Sequence, residues 1–139
     1  MSNIYSSGER RKHRRFRIHL KVLYRIDAPP FAKLSMGGKN TEALTLDLGG
    51  GGIAILTEHD ISVLSLISIE LMLSHDVHSM RSKSFDCIRI KGEVRSNVLQ
   101  SDGRHRLGIA FSDISEEDAV KIAKFVKMGL SLGEGPYIY

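Results

Sequence analysis

A chain of 139 residues, 42% apolar and 26% charged, has the size and balance of a single globular domain, which argues against global disorder. The formal charge of +4 is unevenly placed: residues 10–17 hold six Arg or Lys and no acid, which points to an anionic partner for this arm. A lone cysteine, Cys87, rules out an internal disulfide and fits a reducing, cytoplasmic setting, and no apolar run reaches the roughly 18–20 residues of a membrane span.

Residues 1–8 are small and polar and read as a flexible N-terminal tail. The basic arm, 9–17, follows, with no apolar signal core behind it. From Arg17 the pattern has period two. Ile18, Leu20, Val22, Tyr24 and Ile26 share one face, and Arg17, His19, Lys21 and Arg25 the other, which predicts a half-buried strand that ends at Asp27-Ala28-Pro29-Pro30. Residues 31–40 are rich in Gly, Ser and Lys and read as a loop. Residues 41–48 alternate again, with Leu44, Leu46 and Leu48 inward and Thr45 and Asp47 outward. Four glycines, 49–52, then turn the chain into a short strand over 53–57, and they are expected to supply unusual backbone angles.

Ile67, Ile69, Leu71 and Leu73 mark the next strand, 75–84 is a polar loop, and Ile88, Ile90 and Val94 mark another strand. After the turn Ser101-Asp102-Gly103, residues 106–111 close the β region with Leu107, Ile109 and Phe111 inward. The period then becomes helical. Ser115 and Asp118 make a capping-box-like start, and Glu116, Glu117 and Asp118 suit the positive end of a helix dipole. Ala119, Ile122, Phe125, Val126 and Met128 form the apolar stripe. The expected fold is all-β with a C-terminal helix. A six-stranded antiparallel β-barrel occupies 18–112, because closure hides the edges of so small a sheet, and the helix occupies 115–131. One domain then spans 9–132, and 133–139 is a C-terminal tail.

Two segments carry the chemistry. By parity Asp47 falls on the non-core face, so it is a carboxylate displayed on the barrel wall. The glycines after it, Gly49 to Gly52, have no Cβ to hold a ligand away from the backbone, and successive N–H groups there suit an anion. Arg11 and Arg15 are spaced Arg-x-x-x-Arg before the first strand; their planar forks match phosphate oxygens and guanine O6 and N7. A carboxylate matches the other guanine edge, which offers N1–H and N2–H. Arginines plus one outward aspartate therefore suit a guanine nucleotide with phosphates. Other chemistry finds less support. There is no Gly-x-x-x-x-Gly-Lys-Ser/Thr loop for an NTPase. His75 and His78, with Asp76, sit in a loop, and no further ligand is evident to complete a metal site. Cys87 has no activating base nearby in sequence, and no nucleophile–base motif is present, so an enzyme is not expected.

These motifs resemble those of the PilZ domain, the bacterial receptor module for cyclic di-GMP, whose fold is a six-stranded barrel of the split-barrel type. Arg11 and Arg15, preceded by Arg10, match the family's Arg-x-x-x-Arg in the N-terminal arm. Asp47 and Gly52 match its Asp/Asn-x-Ser-x-x-Gly, with Gly49 at the serine position, and residues 106–111 resemble its last strand. The resemblance implies that Arg11 and Arg15 clamp phosphates and guanine, that Arg10 adds a contact, and that Asp47 accepts hydrogen bonds from a guanine. Gly52 and its neighbours keep the turn open, and the ligand draws the arm onto the barrel.

Gly49 lacks the hydroxyl of the family's serine, a loss of about 0.5–1.5 kcal/mol, or roughly two- to tenfold in affinity. The ligand implied is cyclic di-GMP, with no cofactor and no metal. An output domain is not expected within the chain, so the signal must pass to a partner effector protein or through an oligomer such as a homodimer. Motility, biofilm and exopolysaccharide control are the processes implied. Two rivals remain: a degenerate PilZ-like protein–protein interaction module without ligand, favoured by Gly49, and a basic nucleic-acid-binding barrel, disfavoured because the β faces lack an aromatic stacking platform.

Overall fold

Alternating apolar residues can bury one face of a strand, but six short strands bury it well only when the sheet curls on itself. The computed structural model describes residues 15–30, 40–74 and 85–131. Its strands are β1 (Arg15–Ala28), β2 (Thr41–Gly49), β3 (Gly52–Thr57), β4 (Leu66–Ser74), β5 (Phe85–Leu99) and β6 (His105–Asp113), followed by helix α1 (Glu116–Ser131). They close into an antiparallel barrel in the order β1-β2-β3-β6-β5-β4.

The core is the apolar face foreseen from the pattern. Val22, Tyr24 and Ile26 of β1 meet Ile53 and Ile55 of β3, the four-residue stripe Ile67, Ile69, Leu71 and Leu73 of β4, and Ile88, Ile90 and Val94 of β5. Leu107 and Ile109 complete it from β6, with Phe111 only partly buried against them. Ile18 and Leu20 pack on its margin. Gly92 occupies a core-side position where β5 and β6 approach closely: a Cβ there would lie 2.7 Å from the Ile109 side chain and 2.8 Å from the Ala110 carbonyl oxygen. The Tyr24 hydroxyl is satisfied inside the barrel by Thr57 Oγ1 at 2.7 Å.

The helix begins as its sequence suggests. Ser115 Oγ accepts a hydrogen bond from the Asp118 N–H at 3.0 Å, and three acids occupy the first turn. The box is not reciprocal, because the Asp118 carboxylate accepts instead from the Arg89 N–H of β5. Ile122 and Val126 enter the core, whereas Met128 is exposed and stands outside the stripe it was expected to join. The helix packs against β1, β2 and β5.

Three expectations need correction. First, the strand starts at Arg15 rather than after the arm, because Arg15, Phe16 and Arg17 pair with Gly49, Leu48 and Asp47 of β2. Second, parity fails in the first half of β2. Thr45 is buried while Leu44 and Leu46 are half-buried; only Leu48 of the three leucines lies in the core. The cause is a β-bulge: Thr45 pairs with Ile55 but Asp47 pairs with Ala54, so Leu46 is an extra residue and the strand changes face across it. Third, the glycine turn does not use left-handed angles. The positive φ values among the described residues belong to Gly103 in the β5–β6 turn and to Leu64. The β2–β3 turn is tied down by its Gly51 carbonyl, which accepts from the Phe111 N–H at 3.0 Å.

Candidate functional site

Beyond its bulge β2 regains alternation. Leu48 points into the core, so Asp47 points to the outer wall, as parity foresaw. It is not openly displayed there: Asp47 is only 7% exposed. A buried carboxylate requires a partner, and Arg106 of β6 supplies one, its Nη2 donating to Asp47 Oδ2 at 3.2 Å. Asp47 lies outside the apolar cluster.

The sheet register places the neighbours. Arg17 is opposite Asp47, Asp47 opposite Ala54, Ala54 opposite Gly108, and Gly108 opposite Ser96. This row crosses five strands on the outer surface. Its middle is nearly flat, since Ala54 carries a methyl and Gly108 nothing. Ser96 leans over Gly108, so that a Cβ added there would come within 2.5 Å of its Oγ. Beside this floor is a cavity of about 400 Å³ lined by Gly51, Ala54, Arg95, Ser96, Arg106 and Gly108, among others. Two arginines over a floor of small residues make it a place where a flat, anionic group can rest.

Of the residues singled out in the sequence, the structure brings four to one edge. Arg15 faces Gly49 in backbone register, Asp47 is two residues before Gly49, and Gly52 opens β3 beside Ala110. Arg10 and Arg11 lie outside the described residues, as do His75, Asp76 and His78. Among the described residues no group of three His, Cys, Asp or Glu side chains is placed to hold a metal ion, and no helix is long and apolar enough to cross a membrane. Arg106 was missed by sequence reasoning. Its signal was available but weak: it shares the outward parity of Gly108 in a strand whose inward residues are Leu107 and Ile109.

The sequence profile of the PilZ domain matches residues 9–127. A search of curated proteins finds no match. Among solved structures the chain is similar to the Bacillus subtilis inhibitor of motility (MotI/DgrA), with a TM-score of 0.67 at 16% identity over 89% of this chain and 52% of that one. It is also similar to the PilZ domain with c-di-GMP of YcgR from Escherichia coli, with a TM-score of 0.56 at 12% identity over 89% and 94% of the two chains. A third similarity is to the K. pneumonia MrkH–c-di-GMP complex, with a TM-score of 0.56 at 18% identity over 88% and 53%. The chain spans about half the length of the B. subtilis and K. pneumonia proteins. At these identities the solved structures speak for the barrel-and-helix fold, while the profile covers the arm, the glycine turn and most of the helix. On both grounds, this chain belongs to the PilZ domain family.

Proposed function

We propose that this PilZ domain is a receptor for cyclic di-GMP that couples the messenger to a partner protein, in the cytoplasm, in the control of motility, biofilm or exopolysaccharide. The observation that carries the reading is the register of β1 on β2. It sets the end of the arginine-rich arm, at Arg15, beside Gly49, and Arg17 beside Asp47. Arm and turn therefore meet along one edge, the arrangement a ligand with two phosphates and two guanines needs.

In this reading the arginines of the arm, Arg11 and Arg15 with Arg10 beside them, take the phosphates as bidentate donors. Asp47 accepts from guanine N1–H and N2–H. Gly49 and Gly52 leave the backbone uncovered at the turn. Relatives described with c-di-GMP include the YcgR PilZ domain and MrkH, and a relative named an inhibitor of motility supports an output through another protein. In this reading the protein acts by binding: the site joins cations, one carboxylate and bare backbone.

Calorimetric titration with cyclic di-GMP tests the proposal. Saturable heat is expected, with a loss of about ten- to a hundredfold in affinity for Arg15→Ala, the size of one charge-assisted hydrogen bond. No heat at ligand concentrations far above those of other receptors favours the second reading, a PilZ-like interaction module that has lost its ligand. The observation behind that alternative is Gly49 in place of a serine.

A further inference from the structure

We propose that Arg106 is a ligand-positioning residue of this site, one that sets the Asp47 carboxylate for guanine from across an intervening strand. The inference rests on the cyclic di-GMP reading and adds to it a residue that neither motif contains.

The geometry is non-local. Asp47 belongs to β2 and Arg106 to β6, with β3 between them. Arg106 pairs with Leu56 of β3, two residues along from Ala54, the partner of Asp47. The guanidinium must therefore run diagonally over β3 to reach Asp47 Oδ2. It can do so because Ala54 is small; a long side chain at that point would stand in the way. The Asp47 side chain is 9% exposed and that of Arg106 is 44% exposed. The carboxylate is thus held in the wall, while its counter-ion reaches the surface at the rim of the cavity with Arg95 and Ser96.

The pair neutralises a buried carboxylate, and it also sets how that carboxylate is turned. Guanine presents two parallel donors, N1–H and N2–H, and two oxygens must face them together. A carboxylate has about four lone-pair sites, so accepting from Arg106 does not by itself exhaust its capacity to take a guanine edge. A carboxylate free to rotate would lose that match. Adenine lacks both donors on that edge, so a fixed carboxylate discriminates between the two purines, whereas phosphate contacts do not.

The test uses the whole chain, titrated calorimetrically with cyclic di-GMP and with cyclic di-AMP, and melted without ligand. Arg106→Gln is expected to weaken cyclic di-GMP by about ten- to a hundredfold and to reduce its preference over cyclic di-AMP, the readout that a merely structural role would not move; because it leaves the buried Asp47 with only a neutral donor, it should also lower the melting temperature. Arg106→Lys keeps the charge but not the fork, so it should recover part of the affinity and less of the preference; it also serves if Arg106→Gln fails to fold. Arg104→Gln removes the same charge near the start of the same strand, where Arg104 binds Asp102, and should behave as the parent chain. Unchanged affinity and preference in Arg106→Gln, or an equal loss in Arg104→Gln, would overturn the inference while leaving the receptor reading intact. If the parent chain does not bind cyclic di-GMP, the receptor reading fails, and this inference fails with it.

Discussion

Two walls of the barrel carry charge in opposite ways. On the β1–β4–β5 side, a cavity of about 300 Å³ is lined by Arg25, Ser68, Glu70, Arg89, Lys91 and Asp113, among others. There both arginines have an acid at hand: Arg25 donates to Asp27 at 3.2 Å and Arg89 to Glu70 at 3.0 Å, while Lys91 stands in backbone register with Asp113. These groups are largely open to water, so they add solubility more than energy or a net field. On the β2–β3–β6 side one carboxylate is buried on the outward face, its arginine comes from two strands away, and the surface between them is methyl and hydrogen. The first wall has more charge; the second holds a buried carboxylate turned away from the core with a distant partner, which is what singles it out as the proposed binding face.

The sharpest way to break this comparison is Asp47→Ala. Cyclic di-GMP affinity should fall by about ten- to a hundredfold, with a smaller loss for cyclic di-AMP, as measured by calorimetry. Equal losses for both ligands would mean that the carboxylate does not read guanine. Next comes the seam shared by the two walls, where β5 meets β6. Gly92→Ala pushes a methyl against the Ala110 carbonyl, which is backbone and cannot step aside. A loss of about 1–3 kcal/mol in denaturant unfolding is expected, and no loss would show that the barrel can relax there.

Gly49→Ser gives the turn the hydroxyl that the family pattern carries. Affinity should tighten by roughly two- to tenfold; a weaker complex would mean that the buried Gly49 position cannot accept the side chain. Tyr24→Phe removes the β1 hydroxyl that is bonded to Thr57 of β3, a link between the two walls. It should lower stability by about 0.5–1.5 kcal/mol at neutral pH. Burial raises the pKa of this phenol above its ordinary 10.0, with the Thr57 bond acting the other way. The unfolded chain thus ionises first. The stability linked to Tyr24 is whole below pH 10.0 and is lost as the pH rises above it. The variant should consequently show a shallower alkaline decline in melting temperature, and an identical decline would assign the effect to other groups. Smallest of all is Glu70→Gln on the first wall, which should leave both cyclic di-GMP affinity and melting temperature unchanged. A clear drop in affinity would move the binding face to the wrong side of the barrel.

Much of this protein was legible before folding. Period-two runs such as Ile67-x-Ile69-x-Leu71-x-Leu73 announce a buried face, because alternation is a property of the backbone itself. The Ser115 cap and the acids after it announce the helix start, since their partners are a few residues away. The arginine pair and Asp47 are legible as residue types at a set spacing, and the anion and guanine chemistry proposed for them rests on that spacing.

What tertiary structure decided is everything that depends on a strand's neighbour. The bulge at Leu46 reversed the first half of β2, buried Thr45 and brought Leu44 and Leu46 out of the core. The pairing of Arg15 with Gly49 made the end of the arm a part of the sheet. The pairing of β6 with β3 left a single strand between β6 and β2, which let Arg106 reach over Ala54 to Asp47. Contacts between residues 59 positions apart leave no mark on local periodicity; they exist only once the sheet has chosen its register.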